Sequence, residues 1–362
     1  MNANIIVQFQ KKKFECFEEY PGKDTKANYI NNKLDKLRLI LHNIKFSKDV
    51  SAIDYELYVY ESKETNAFSK KEGDGYIIAI SSNLLYELPE EIKSYMLNCD
   101  IRNYFYGKGK TAKKHAEQIH DYILQYVALH EYYHILNGHC DWVYFGNRVN
   151  FARTQRRILN NKDNFYKQVI EMDADYCAVR SMIYLLDDNT DRKNLNTEIM
   201  LAGFSLYFIF LKFQEESYEN IETIEVTQFD HPPASIRIIY SMSVMVTYLN
   251  KDILDKSQLL YLMSQISEVC IYFDKEYYDS DTIDLALFAY AYTPDGQEYM
   301  KELFNGWNKV RSKLSQWAYV SLRNENNFEL TNKYFLNNSG KMLRVLNMDK
   351  RMSEFHSAVR NL

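Results

Sequence analysis

At 362 residues the chain can hold one large domain or two ordinary ones, and its 46% apolar content, with 31 Tyr and 20 Phe, suffices for a packed core. Only 11 Gly and 5 Pro argue against long linkers and low-complexity architectures. A net charge of -5 lacks the basic footprint of a dedicated nucleic-acid binder, so no nucleic-acid partner is expected.

The N-terminal stretch MNANIIVQFQKKKFE lacks the apolar core of a secretory signal. From about Tyr29 to Ile44, Ile30, Leu34, Leu37 and Leu41 recur at helical spacing and predict an amphipathic helix. Tyr55 to Glu61 is rich in β-formers and reads as a strand. A polar stretch with Asn66-Ala67-Phe68 and the turn signal Gly73-Asp74-Gly75 follows, then a second strand at Tyr76 to Ser81, and Asn83 to Leu88 begins a helix. From about Lys114 the chain reads as helical, with Ile119, Ile123, Val127, His130 and His134 on one stripe of a helix ending near Gly138. A polar loop at Asn160 to Asn164 precedes a helix carrying Glu171 and Asp175. Two apolar helices, Glu198 to Phe213 and Ile236 to Leu249, flank an irregular segment with Asp230-His231-Pro232-Pro233. The most apolar run, Ile199 to Leu211, is about two-thirds of a membrane span and is interrupted by Gly203 and Ser205, so a buried core helix is expected and no membrane partner. Beyond Asn250 further helices carry no recognisable chemistry, which sets a domain boundary there. Cys16, Cys99, Cys140, Cys177 and Cys270 are scattered and odd in number, as expected for reduced thiols in a cytoplasmic protein.

The chemical signal is His130-Glu131-Tyr132-Tyr133-His134. Two histidines four apart on a helix project from one face, so both rings can reach one ion, and Glu131 can face a water held there. A catalytic metal site needs a third ligand and an open position. His139 is turned away on a continuous helix and His231 is distant. Glu171 is the strongest candidate, because it lies on a separate helix with Asp175 one turn further on. A carboxylate so placed can accept the free ring N–H of a ligating histidine.

With these residues the chain resembles the M48-type (HtpX/Ste24-like) gluzincin zinc metallopeptidases. The resemblance rests on Asn66-Ala67-Phe68 with the following strand and Asn83-Leu84-Leu85, on HEYYHILNGH, on Glu171-x-x-Ala174-Asp175, and on His231-Pro232-Pro233 with Arg237-Ile238. It spans roughly residues 50–245. It implies one catalytic Zn2+ held by His130, His134 and Glu171, Glu131 as general base, Asp175 behind a ligand, and His231 and Arg237 beside the site. The fold implied is α+β and mostly helical. It comprises a zincin-type catalytic domain over residues 1–250, with a small sheet packed on the HExxH helix, and a helical C-terminal region over 251–362 that could receive a regulatory partner. The chain departs from the pattern in Asn83 where the family has Gly, in an apparent insertion around Asp100 to His120, and in a tail without counterpart.

These expectations describe a zinc-dependent endopeptidase acting on a protein or peptide. Glu131 shuttles the proton, and His231 or Tyr132 is a candidate donor to the oxyanion. The strand Tyr76 to Ser81 could pair with an extended substrate unless the insertion covers it. Other readings remain open: a phage-exclusion or host-defence peptidase cleaving one cellular protein, a catalytically silent zincin-fold scaffold, or a zinc hydrolase with a non-peptide substrate. Two patterns fail on inspection. Gly109-Lys110-Thr111 has Tyr104 where a phosphate loop needs its first Gly, and Asp279, Asp281 and Asp284 have Ile283 where a calcium loop needs an oxygen.

Overall fold

A computed structural model describes residues 5–9, 12–44, 53–98, 110–146, 161–189, 195–215, 231–252, 266 and 294–323. Asp100 to Gly109, the aspartates at 279–284, Cys99, Cys270 and His356 lie outside the described residues, as does most of the tail beyond 250.

The fold is of the α+β class, mostly helical with a small mixed sheet. Strands β1 (Ile5–Phe9), β2 (Lys12–Phe17), β3 (Tyr55–Tyr60), β4 (Ala67–Glu72) and β5 (Gly75–Ser81) lie in the order β1-β2-β3-β5-β4. β3 and β5 run parallel with Leu57 opposite Ile78, and the other neighbours are antiparallel. Period-2 alternation divides the side chains between two faces. Leu57, Val59, Ile78 and Ile80 join the main core, while Tyr58, Tyr60, Ile77 and Ala79 form a smaller cluster with Cys16 on the far face. The β4–β5 hairpin turns at Gly73, whose φ of 59° suits a residue without Cβ.

The sheet departs from the sequence reading in three places. Ala67 and Phe68, read as part of a polar stretch, begin β4, and β1 and β2 fall in a stretch read only for the absence of a signal. β5 has partners on both sides, so among the described residues the outer strand beside the helices is β4 and not Tyr76–Ser81.

Helix α1 (Thr25–Asn43) starts at Asp24, whose carboxylate accepts the Ala27 N–H at 2.8 Å, and it buries Ile30, Leu34, Leu37 and Leu41 as their spacing requires. A π-helical turn over Asn83–Glu87 leads into α2 (Leu88–Asn98). Next comes α3 (Lys110–Leu136), which carries both motif histidines and packs against α1, α2, β4 and β5. Its N-terminal half includes residues assigned to the insertion: His115 and His120 are buried, and Leu84 C=O lies 2.9 Å from His120 Nε2. α3 is buried all round from Ile123 onward, so it forms the axis of the core rather than a one-sided surface helix.

Gly138, at φ 76°, ends this run and starts α4 (His139–Gly146). α5 (Asn161–Asn189) begins within the segment expected to be a polar loop. α6 (Leu195–Glu215) and α7 (Ala234–Asp252) match the two apolar runs. Among the described residues one helix segment, Leu195–Phe213, is long and apolar enough to cross a membrane; 78% of that window is buried inside the fold. α8 (Pro294–Leu314) packs on α5 and α4, and its Trp307, Leu303 and Val310 belong to the same core cluster as the other helices.

Candidate metal centre

The site is built where α3 lies between α5 and the β4 edge. Along α3, Tyr126, His130 and His134 follow at four-residue intervals on one face. α5 crosses that face and presents Glu171 and, one turn on, Asp175. α7 supplies Arg237 and Tyr240, again one turn apart. Within a cleft walled by these elements, His130 Nε2 is 3.1 Å from His134 Nε2 and 3.2 Å from Glu171 Oε2, and His134 Nε2 is 3.5 Å from Glu171 Oε1. All three residues are buried and lie close enough to hold one metal ion.

The spacing passes a simple test of fit. Donors ~2.0–2.1 Å from a tetrahedral ion sit roughly 3.3–3.4 Å from one another. The His130–His134 and His130–Glu171 Oε2 separations lie near that value, while the contact to His134 is made by the other carboxylate oxygen, Oε1, so the three side chains converge within reach of one ion. Two ring nitrogens and a carboxylate oxygen converging in a buried cleft also need a cation between them. Without a metal a proton serves. Burial opposes charge on His130, but the Asp175 and Glu171 carboxylates outweigh it and raise the pKa to about 10. Burial likewise opposes ionisation of Glu171, yet His231, His134 and His130 hold its carboxyl well below the usual range.

Each candidate ligand histidine has partners behind it. His130 Nδ1 meets Asp175 Oδ1 at 2.8 Å. That contact is an ion pair by distance, whereas Asp175, fully buried, accepts hydrogen bonds from Arg237 Nε at 2.8 Å, Arg237 Nη2 at 2.7 Å, and the hydroxyls of Tyr126 and Tyr240. The Arg237 guanidinium lies 4.7 Å from the Phe210 ring centroid. Behind His134, its Nδ1 is 3.0 Å from His139 Nδ1, and His139 Nε2 is 3.3 Å from Asp173 Oδ2. The reading of His139 as turned away assumed a continuous helix. The break at Gly138 swings it back beside His134.

Glu131 projects toward β4, where Ser69 Oγ donates to Glu131 Oε2 at 2.8 Å. It lines the same cavity as the three donors, with Cys140 beside Ser69. Burial pushes the Cys140 thiol well up, which keeps it protonated. His231, 29% exposed at its side chain, brings Nε2 to 3.2 Å from Glu171 Oε2 at the cavity wall. Tyr132 instead packs against Tyr55, with ring centroids 5.0 Å apart, and is absent from the cavity lining.

Every residue singled out from the sequence for this centre therefore lies at it except Tyr132. Sequence reasoning missed Ser69, Tyr126, Tyr240, Asp173 and Arg323. Helical spacing from His130 and Arg237 would have found the two tyrosines. For Ser69 and Arg323 the chain carries no local signal. No protein-family model, curated protein or solved structure matches the chain.

Proposed function

We propose that the protein is a zinc-dependent endopeptidase of zincin type that cleaves a protein or peptide with Glu131 as general base. The observation that carries the reading is the meeting of buried His130, His134 and Glu171 within reach of one ion, with the Glu131 carboxylate at the same cavity. Two imidazoles and one carboxylate are a usual catalytic zinc donor set. The M48-type resemblance belongs to the same proposal and rests on the same residues.

Zinc at these donors would supply two things, a bound water acidic enough to ionise near pH 7, down from ~15.7, and polarisation of a scissile carbonyl. The chain's own residues do the rest. Ser69 holds one oxygen of Glu131 and leaves the other free to take a proton from the attacking water. The water oxygen bonds to the carbonyl carbon. As the C–N bond breaks, Glu131 returns its proton to the leaving nitrogen. His231 Nε2, which lies 3.2 Å from Glu171 Oε2 at the cavity wall, would turn its N–H from that carboxylate to the developing oxyanion. Asp175 keeps its proton off at ordinary pH, because Arg237 and His130 favour the carboxylate against the cost of burial, and so it remains an acceptor for His130. The free thiols of Cys16, Cys140 and Cys177 support a cytoplasmic setting.

The test pairs two variants. Glu131→Gln should keep one zinc per chain while peptide cleavage falls by roughly 10²–10⁴-fold. Glu171→Ala should lose the metal. A comparison of new peptide termini in cells carrying wild type or Glu131→Gln identifies the substrate. Undiminished cleavage by Glu131→Gln rejects the base, and identical termini in the two strains reject the peptidase in favour of a silent scaffold or a non-peptide hydrolase.

A further inference from the structure

His134 and His130 are both proposed ligands, but they are anchored differently. The anchor of His130 runs through Asp175 to Arg237, within the segment that carries the sequence motifs. The anchor of His134 ends far outside it. Its Nε2 faces the donor cluster, so when a cation is held there the ring proton must sit on Nδ1. That N–H points at His139 Nδ1, 3.0 Å away, so His139 has to accept at Nδ1 and carry its own proton on Nε2. His139 Nε2 in turn lies at ion-pair distance, 3.3 Å, from Asp173 Oδ2, close enough for the carboxylate to favour a proton on Nε2 although the pair is not aligned as a hydrogen bond. Asp173 is fully buried and therefore needs a compensating cation. Arg323 supplies it, with Nε donating to Asp173 Oδ1, while Asn137 Nδ2 donates to Oδ2 at 2.6 Å.

Arg323 is brought there by a strap. After α8 the backbone turns back across the C-terminal end of α3, and Tyr319 N–H donates to Leu136 C=O at 2.8 Å. A Cβ on Gly138 would lie 2.7 Å from the Trp317 carbonyl carbon, so the strap rests directly on that glycine. The Arg323 guanidinium then packs between Tyr176 and Trp307, 4.3 Å and 4.6 Å from their centroids.

We propose that Arg323 is a positioning residue for the metal centre, acting through Asp173 and His139 to fix the tautomer and orientation of His134. The inference rests on the zinc-site reading above. It makes the C-terminal strap part of the centre's support, although no residue of the strap touches the cavity.

Zinc affinity of the full-length protein, measured by competition with a chromogenic chelator, tests it. Arg323→Ala should raise the zinc Kd by roughly 10–100-fold, the usual cost of losing an outer partner of a metal ligand. Asp173→Asn, nearly the same shape, should do likewise, and the double variant should cost less than the product of the two single effects. In ring-labelled zinc protein the His134 Nδ1–H resonance should be protected from solvent exchange in wild type and lost in Arg323→Ala, a signature that a merely stabilising contact leaves unchanged. If Arg323→Ala does not fold, Asp173→Asn gives the same reading. A zinc Kd and His134 resonance unchanged in the folded variant would overturn the inference. Wild-type zinc binding that depends on Glu171 but not on Arg323 removes this inference alone, whereas no zinc binding by wild type removes the metal reading and this one with it.

Discussion

Asp175 has no exposed surface and receives one imidazole, one guanidinium and two phenols. Its removal leaves Arg237 buried without a counter-charge. Asp175→Ala is therefore expected to cost about 3–5 kcal/mol in urea unfolding. A loss below about 1 kcal/mol would mean that water reaches Arg237. The neighbouring His130 makes metal-free stability depend on pH. Its folded pKa of about 10 lies above the unfolded value of ~6.5. Its contribution is therefore complete below pH ~6.5 and is lost as pH rises through about 10. The Tm of metal-free protein should fall across that interval, and that of zinc-loaded protein should fall less, because the cation has already displaced the proton. A flat metal-free profile would show that His130 is not charged in the folded state. At the acid end the same pairing acts through Asp175, whose depressed pKa makes its contribution decline as pH falls below ~3.9.

Among the elements, α3 decides most. Its stripe positions are legible from period 3.6 alone, and so are the burial of α1 and the existence of α6 and α7. The strands are less legible. β4 reads AFSKKE and carries little β-propensity; its pairing with β5 and its packing on α3 override the local preference. That override matters, because Ser69 reaches Glu131 only from a strand whose alternate residues face the helix. The break between α3 and α4 depends on Gly138, with φ 76° and the strap backbone against its missing Cβ. Gly138→Ala should lower stability by about 1–3 kcal/mol from backbone conformation alone, and by more if the strap cannot shift. The check is the urea midpoint, and a variant as stable as wild type would place the strap elsewhere in solution.

At the scale of the whole molecule, α8 shares the main core with the helices of the candidate metal centre through Trp307, Leu303 and Val310, and Val320 and Leu322 of the strap pack against that core. Gln168 of α5 accepts from Tyr299 at 2.8 Å, one turn from the candidate ligand Glu171. Removing residues 294–362 would expose this face of α5 and strip Asp173 of Arg323. The shortened chain is expected to lose its cooperative thermal transition and to bind a hydrophobic dye, read by calorimetry and fluorescence. A sharp transition near the wild-type Tm would show instead that the remaining helices close their own core.

What the sequence determined by itself was local: which stretches are helical, that His130 and His134 share a face, and that Glu171 and Asp175 share another. These follow from the geometry of one helix, which a pattern of residues encodes directly. Only tertiary structure decided that the two faces meet, that β4 is the outer strand among the described residues, that His139 turns back toward His134, and that Arg323 is carried to Asp173 from the far end of the described chain. Those outcomes depend on how buried surfaces and charges satisfy one another across large sequence separations, and no short window of residues contains that information.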